Sequence, residues 1–103
     1  MIPARISKRA ERDLEGIHDR IAVHDPEAAQ RVRKAILDTA DLLAQNPGIG
    51  RRILAARPRH AQIRWFVVPR FRSYLIFYRP FKDTALVIRI LHAARDWTRF
   101  FPQ

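Results

Sequence analysis

The spacing of apolar residues changes halfway along this chain, and that change limits the folds it can adopt. In the first half apolar residues recur at helical spacing, beginning with Ala10, Leu14, Ile17 and Ile21. Ser7 precedes this stripe and has the side chain of a helix N-cap. The pattern predicts a first helix that starts after Ser7 and buries one face.

A second helix should follow almost at once. Asp25 has the side chain of an N-cap, Pro26 suits the first helical position, and Glu27 falls in the first turn. The apolar stripe of this helix consists of Ala29, Val32, Ile36, Ala40 and Leu43. The segment Asn46-Pro47-Gly48 should end it. Because the break between the two segments is short, we expect an antiparallel helical hairpin.

Strand patterns surround this hairpin. A short alternating segment at 2–6 precedes it, and apolar segments rich in β-branched and aromatic residues follow at 63–68, 74–79 and 85–91. Pro69 and Pro80 should stop two of these strands, leaving hairpin-length connections at 69–73 and 80–84. Residues 47–60 show no periodicity and should form a connecting loop. The order β-α-α-β-β-β predicts an α+β fold with the helical hairpin on one face of a mainly antiparallel sheet.

Length and composition fit one domain spanning residues 1–103. A chain of 103 residues with 48% apolar content can build one core but not two. It has no cysteine, no apolar run near the ~18 residues of a membrane span and no signal-peptide pattern at its start. We therefore expect a soluble, cytoplasmic protein with no membrane partner.

The formal net charge of +10 lies entirely in the second half of the chain. Residues 1–46 carry eight Lys/Arg and eight Asp/Glu, whereas residues 47–103 carry twelve Lys/Arg against Asp83 and Asp96. An excess confined to one half gives one surface a field of one sign, which attracts a polyanion or an acidic protein. The binding surface should therefore lie in the second half.

Several kinds of chemistry have no motif here. The three glycines form neither a P-loop nor a dinucleotide fingerprint, and the four histidines have no metal-ligand spacing, so neither a cofactor nor a metal is expected. Metal-independent RNA cleavage needs only a proton acceptor, a proton donor and cations near the phosphorane. His60 and His92 are candidate proton carriers. The simpler interpretations are a partly buried, hydrogen-bonded His92 at a strand end and a solvated His60 between arginines.

The strongest functional pattern is a set of arginines in the second half: Arg64, Arg70, Arg72, Arg79, Arg89, Arg95 and Arg99. Guanidinium groups suit bidentate contacts to phosphate or carboxylate. Trp65, Phe71 and Trp97 are interleaved with them, as on nucleic-acid surfaces where rings stack on bases. The alternative is a solvated sheet edge with the rings turned into the core, and it is preferred for Phe77 and Tyr78.

The segment Arg95-Asp96-Trp97 follows the last predicted strand, and arginine and tryptophan are enriched at interface hot spots. We expect Arg95 and Trp97 to contact the target, although the Trp97 ring could pack against the first helix. Arg99 and Arg89 are weaker candidates, since Arg89 lies within a strand. A second candidate surface consists of Arg64, Arg70 and Arg72.

Five segments carry a resemblance to known proteins: AERDLEGI at 10–17, DPEAA at 25–29, NPGIGR at 46–51, YLIFY at 74–78 and IRILHAARD at 88–96. In their order and spacing they resemble the RelE/ParE superfamily of toxins from bacterial toxin-antitoxin modules, and within it the ParE branch. The resemblance covers nearly the whole chain.

The branch decides the implied activity, because RelE-like members are ribosome-dependent mRNA endonucleases and ParE-like members are described as inhibitors of DNA gyrase. Gln62 and Arg64 stand where the nuclease pattern has two lysines, and Leu75 stands where it has a strand arginine. No tyrosine follows Arg95. Since only Arg64 and Arg95 match catalytic positions, the resemblance implies a binding inhibitor and not an enzyme.

We interpret the chain as a ParE-like toxin that inhibits growth by binding DNA gyrase or another topoisomerase, without a cofactor. The resemblance also implies a cognate antitoxin, expected to be acidic and helical, that neutralises it. One alternative is an mRNA-cleaving toxin that acts at the ribosome through Arg64, Arg95, His60 and His92. A weaker alternative is a plain nucleic-acid-binding domain with a basic sheet.

Overall fold

The computed structural model describes residues 2–102. Two helices and five strands follow the predicted order: β1 Arg5–Ile6, α1 Lys8–Ala22, α2 Pro26–Gln45, β2 Arg51–Arg52, β3 Arg64–Val67, β4 Tyr74–Phe81 and β5 Thr84–His92. Short 3-10 turns lie at Pro58–His60 and Trp97–Arg99. The α+β prediction is confirmed, with a helical hairpin packed on a mainly antiparallel sheet.

Both helices begin where the capping residues predicted. The Ser7 hydroxyl accepts a hydrogen bond from the Ala10 N–H at 3.0 Å, and the Asp25 carboxylate accepts one from the Ala28 N–H at 3.0 Å. Each bond satisfies a backbone donor that the first helical turn leaves without a partner. These local contacts fix the two starting points of the hairpin.

The sheet has the strand order β1-β5-β4-β3-β2, with β1 parallel to β5 and the other neighbours antiparallel. Phe77 of β4 faces Arg89 of β5, whereas Tyr78 faces Val87, so Ile88 is an extra residue in β5. This bulge shifts the side-chain alternation by one residue. Val87 and Ile90 consequently both pack on the helical face.

The sheet is covered on both faces. Between it and the helices lies a first core, whose larger members are Leu14, Ile17, Ile36, Leu43, Ile76, Tyr78 and Val87. On the other face a second core forms under the loop after β2 and the C-terminal segment, from Ile53, Ile63, Leu75, Phe77, Leu91 and Phe101. The prediction that β5 is buried on both faces is thus confirmed, as is the core placement of Phe77 and Tyr78.

Two boundary predictions were wrong. The segment 47–60 is not loop throughout, since Arg51–Arg52 pairs with Arg64 and Trp65 as the edge strand β2. Pro80 does not stop β4 either; the strand runs on to Phe81, and only Lys82 and Asp83 form the turn. Beyond Tyr78, β4 has no β3 partner and pairs with β5 alone. Such an edge position tolerates a proline, because its missing N–H can face away from the neighbour.

Within residues 2–102, no helix combines the length and the apolar character needed to cross a membrane.

Candidate target-binding surface

The sheet register brings two arginine-bearing segments to the same end of the molecule. Tyr74 faces His92 at the start of β4 and the end of β5, and the Ala93 N–H donates to the Ser73 carbonyl at 2.6 Å. The connection 69–73 therefore lies beside the segment 93–96. The first of these segments carries Arg70 and Arg72, the second carries Arg95, and all three arginines are exposed. The sequence predicts two separate candidate surfaces for these arginines.

Helical cations extend this surface on both sides. Arg31 and Lys34 of α2 line a groove of about 330 Å³ together with Arg70. Arg12 and Arg20 of α1 line a cleft of about 120 Å³ together with His92 and Arg95. We call this surface the basic end, and it consists of Arg12, Arg20, Arg31, Lys34, Arg70, Arg72 and Arg95.

The basic end is not confined to the second half of the chain, where the sequence predicted the binding surface. Four cations of the basic end come from residues 1–46, although the net charge of that half is zero. Two neighbouring carboxylates are already paired, because Asp38 binds Lys34 at 2.7 Å and Asp13 binds Arg89. The spacing of Arg12, Gly16 and Arg20 was the signal that could have revealed a shared helical face.

Arg89, a predicted target contact, is engaged inside the protein. Its side chain and that of Asp13 are each 10% exposed, and the two form a bidentate ion pair with bonds of 2.8 and 3.1 Å. The ion pair and the burial together leave this guanidinium little access to a partner. We therefore leave Arg89 out of the candidate surface.

Arg64 is engaged as well, at the start of β3. Its Nη1 donates to the Gly50 carbonyl at 2.7 Å, beside Tyr78 in the strand register. The register places Arg64 on the order of 15 Å along the sheet from the end of β5, where Arg95 follows. The two arginines of the nuclease alternative are therefore not brought together.

The Tyr78 hydroxyl holds the same loop as Arg64. It donates to the Pro47 carbonyl at 2.8 Å and accepts from the Gly50 N–H at 2.8 Å. A Cβ on residue 50 would lie 2.5 Å from the hydroxyl oxygen, which explains the glycine. Burial raises the pKa of Tyr78, opposed by the Gly50 hydrogen bond and by the Arg64 charge. This neutral, buried phenol serves the fold.

The aromatic rings near the arginines are packed. Trp97 is half-buried against Phe77, with ring centroids 5.5 Å apart, and belongs to the second core. The expectation that it could pack against the first helix was wrong, because this core lies on the opposite face. Trp65 also packs on the second core, and Phe71 packs on the first. The interpretation of these rings as core residues therefore fits better than base stacking.

The C-terminal segment supports Arg95 without burying it. The guanidinium carbon of Arg95 lies 5.1 Å from the centroid of the Phe100 ring, and that of Arg89 lies 4.4 Å from it. The Phe100 ring thus contacts both Arg89, which is ion-paired with Asp13, and Arg95, which has no ion pair among residues 2–102. Arg95 remains exposed, as does Arg99.

The two histidines lie on different faces of the sheet. The His60 ring packs edge-on against Phe101 of the second core, with centroids 5.4 Å apart. His92 packs edge-on against Tyr74, which belongs to the helical side, and its Nδ1 accepts from the Ala94 N–H at 3.0 Å. His92 is thus partly buried and hydrogen-bonded at the end of its strand. The two rings do not form an acid-base pair.

His60 is not the solvated residue that its loop position suggested. Its Nδ1 is buried and has no hydrogen-bond partner among residues 2–102. Desolvation lowers the pKa of His60, and the charges of Arg59 and Arg57 lower it further. The ring is consequently held in its neutral form.

In the described part of the chain, no three His, Asp or Glu side chains are grouped so that they could hold a metal ion.

The helical hairpin, the mixed sheet and the basic end define the class: a small basic α+β protein with a cluster of exposed cations at one end of its sheet. Residues 4–97 match the family described as "ParE toxin of type II toxin-antitoxin system, parDE", and the chain belongs to this family. The family predicted from sequence is confirmed.

A solved structure supports the fold independently. A chain of the structure titled "Chromosomal ParDE TA system from P. aeruginosa" superposes with a TM-score of 0.71 at 22% sequence identity, covering 89% of this chain and 96% of that chain. A comparison with curated protein sequences gives no match.

Proposed function

We propose that this ParE-family toxin inhibits growth by binding DNA gyrase through its basic end. The observation that carries the proposal is the convergence of Arg70, Arg72 and Arg95, which are all exposed and have no carboxylate partner among residues 2–102. Exposed guanidinium groups on one surface suit an acidic protein surface or enzyme-bound DNA. Gyrase itself is implied by the ParE branch.

Binding fits the geometry better than catalysis does. His60 and His92 lie on opposite faces of the sheet, and Arg64 is occupied by the Gly50 carbonyl far from Arg95. General acid-base catalysis needs its groups within hydrogen-bond reach of one reacting centre. The proposed toxin therefore acts as an inhibitor that occupies its target.

The groove between α2 and the β3–β4 connection is the proposed docking place of the antitoxin. Its floor includes Ala35, Val68 and the 41%-exposed Leu42, and Arg31, Lys34 and Arg70 line it too. An amphipathic helix can place apolar residues on such a floor and acidic residues against such a rim. Acidic flanks would also speed association with the basic end.

Arg95→Ala tests the target surface. Loss of one interface anchor weakens binding by about 2 kcal/mol, or about thirtyfold in affinity. Expressed without antitoxin, the variant should stay folded and lose growth inhibition, and the purified protein should no longer inhibit supercoiling. Arg9→Ala is the matched control, since Arg9 is exposed on α1 outside the basic end.

Full toxicity from a folded Arg95→Ala protein would contradict the proposed surface. Cuts in mRNA on translating ribosomes, with supercoiling unaffected, would instead establish the nuclease alternative.

Leu42→Glu tests the antitoxin groove separately. Placing a carboxylate on the groove floor should abolish rescue by the protein of the adjacent reading frame while toxicity persists. Rescue that is as complete as for the wild type would place the antitoxin elsewhere.

A further inference from the structure

We propose that the cleft between α1 and the end of β5 is a phosphate-binding site. Arg12, Gly16 and Arg20 line one wall, and His92 and Arg95 line the other, around a volume of about 120 Å³. The helical residues are spaced by four, so they share one face of α1. Donors that are distant in sequence therefore meet around one small volume.

The arginines of the cleft are free to bind a ligand. Among residues 2–102, Arg12, Arg20 and Arg95 make no ion pair, and the Arg95 guanidinium lies over the Phe100 ring. Asp13 also lines the cleft, but its carboxylate already accepts two hydrogen bonds from Arg89 and one from the Ile90 N–H. The lining of the cleft therefore has three arginines without an ion pair among residues 2–102, and its one carboxylate is already paired with Arg89.

His92 adds a directed donor. Because its Nδ1 accepts the Ala94 N–H, the proton of the neutral ring is on Nε2. An imidazole in this tautomer can donate to an anion without first being charged. Gly16 leaves the middle of the wall open, since a Cβ built there would meet nothing within 4 Å.

The number of donors favours phosphate over carboxylate. A carboxylate presents two oxygens in one plane, whereas a phosphate group presents at least three strong acceptor oxygens arranged around a tetrahedral centre. Three guanidinium groups and an imidazole N–H call for a tetrahedral group that presents oxygens in several directions. The same chemistry is offered by free phosphate and by a phosphodiester of nucleic acid.

This inference goes beyond the proposed function, because it needs neither gyrase nor the antitoxin. It is tested on the isolated full-length protein by titrating inorganic phosphate at constant ionic strength, with acetate as the comparison anion. Thermal unfolding should shift upward with phosphate and less with acetate. In amide NMR spectra, the signals of Gly16, His92 and Ala94 should move.

The variants locate the effect. Arg20→Gln should weaken phosphate binding about tenfold, since it removes a charged hydrogen-bond donor. Arg9→Gln makes the same charge change on the same helix outside the cleft and should leave affinity unchanged. Gly16→Leu should keep the helix, because leucine has the higher helix propensity, and should block the cleft with its side chain.

Two outcomes separate the sources of the phosphate. The ligand is a phosphodiester if a mixed-sequence oligonucleotide displaces phosphate and if the Arg20→Gln protein binds this oligonucleotide more weakly than the Arg9→Gln protein does. Phosphate binding that the oligonucleotide does not compete with identifies a free phosphate group. Equal effects of phosphate and acetate, or equal affinities of the Arg20→Gln and Arg9→Gln proteins, would overturn the site. Loss of phosphate binding with toxicity intact would leave the gyrase proposal standing.

Discussion

The Asp13 carboxylate and the Arg89 guanidinium form a bidentate pair across 76 residues of sequence, with Arg89 Nε 2.8 Å from Oδ2 and Nη2 3.1 Å from Oδ1. The Ile90 N–H donates to the same Oδ2 at 3.0 Å. β1 pairs with β5 only as far as Val87. Beyond that residue the Asp13 carboxylate accepts the Ile90 N–H, as a neighbouring strand would. The pair therefore fastens α1 to the sheet.

Breaking this pair should destabilise the protein strongly. Asp13→Asn leaves a nearly buried guanidinium without its counter-charge, and such losses cost about 3 kcal/mol. Denaturant titration should show a lower free energy of unfolding by that amount. Glu15→Gln makes the same charge change at an exposed position of α1 and should have little effect. A loss no larger than that of the control would mean that the pair contributes nothing to stability.

The Tyr78 hydroxyl supports a second prediction. Tyr78→Phe leaves the Gly50 N–H and the Pro47 carbonyl without their partner, and an unsatisfied buried group costs about 1–3 kcal/mol. Tyr74→Phe is the matched control. It also removes a phenolic hydroxyl, but the Tyr74 hydroxyl makes no hydrogen bond within residues 2–102. Chemical denaturation of both variants checks the difference. Equal stabilities would show that the loop after α2 is held by other contacts.

The sequence was informative wherever the signal was local. The N-caps Ser7 and Asp25 fixed both helix starts, and the apolar segments located β3, β4 and β5 to within about two residues. Strand β2 was not predicted, because two consecutive arginines show no alternation of apolar and polar residues. They form a strand only because they pair with Arg64 and Trp65. The end of β4 was predicted too early at Pro80, because a proline interrupts a strand only where a neighbouring strand would accept a hydrogen bond from the missing N–H.

The candidate surface was less predictable, because it depends on distant partners. Arg89 and Arg95 look alike in the sequence, yet Asp13 engages the first and leaves the second exposed. No local pattern reports that pairing. The zero net charge of residues 1–46 likewise hid Arg12 and Arg20, since a sum of charges does not say which face of a helix carries them.

We expect Trp97 to stabilise the fold, so that its replacement lowers stability as well as any toxicity. Its ring packs on Phe77 in the second core, so Trp97→Ala should lower the free energy of unfolding by about 2 kcal/mol, less than for a fully buried ring. Trp97→Phe should recover most of the loss, and Arg99→Ala at an exposed site should cause none. Thermal unfolding measured beside growth inhibition separates the two roles. Lost toxicity from a Trp97→Ala protein of wild-type stability would make the ring a target contact.

His60 should make stability depend on pH. Its pKa is lowered from 6.5 in the folded protein, chiefly by desolvation and then by Arg59 and Arg57. The unfolded chain therefore binds the proton more readily. This contribution to stability is fully present above pH 6.5, the ordinary pKa, and is lost as the pH falls from there through the lowered pKa of the folded protein. His60→Gln should show a flatter decline than the wild type between about pH 8 and pH 5.5.

Arg59→Gln should raise the His60 pKa towards its ordinary value and remove part of the same slope. The measurement is the free energy of unfolding of the three proteins by denaturant titration at each pH. Parallel profiles for the wild type and His60→Gln would show that the partly buried ring does not resist protonation. A slope that disappears with His60→Gln and is reduced with Arg59→Gln would locate the pH response in this ring and the arginines beside it.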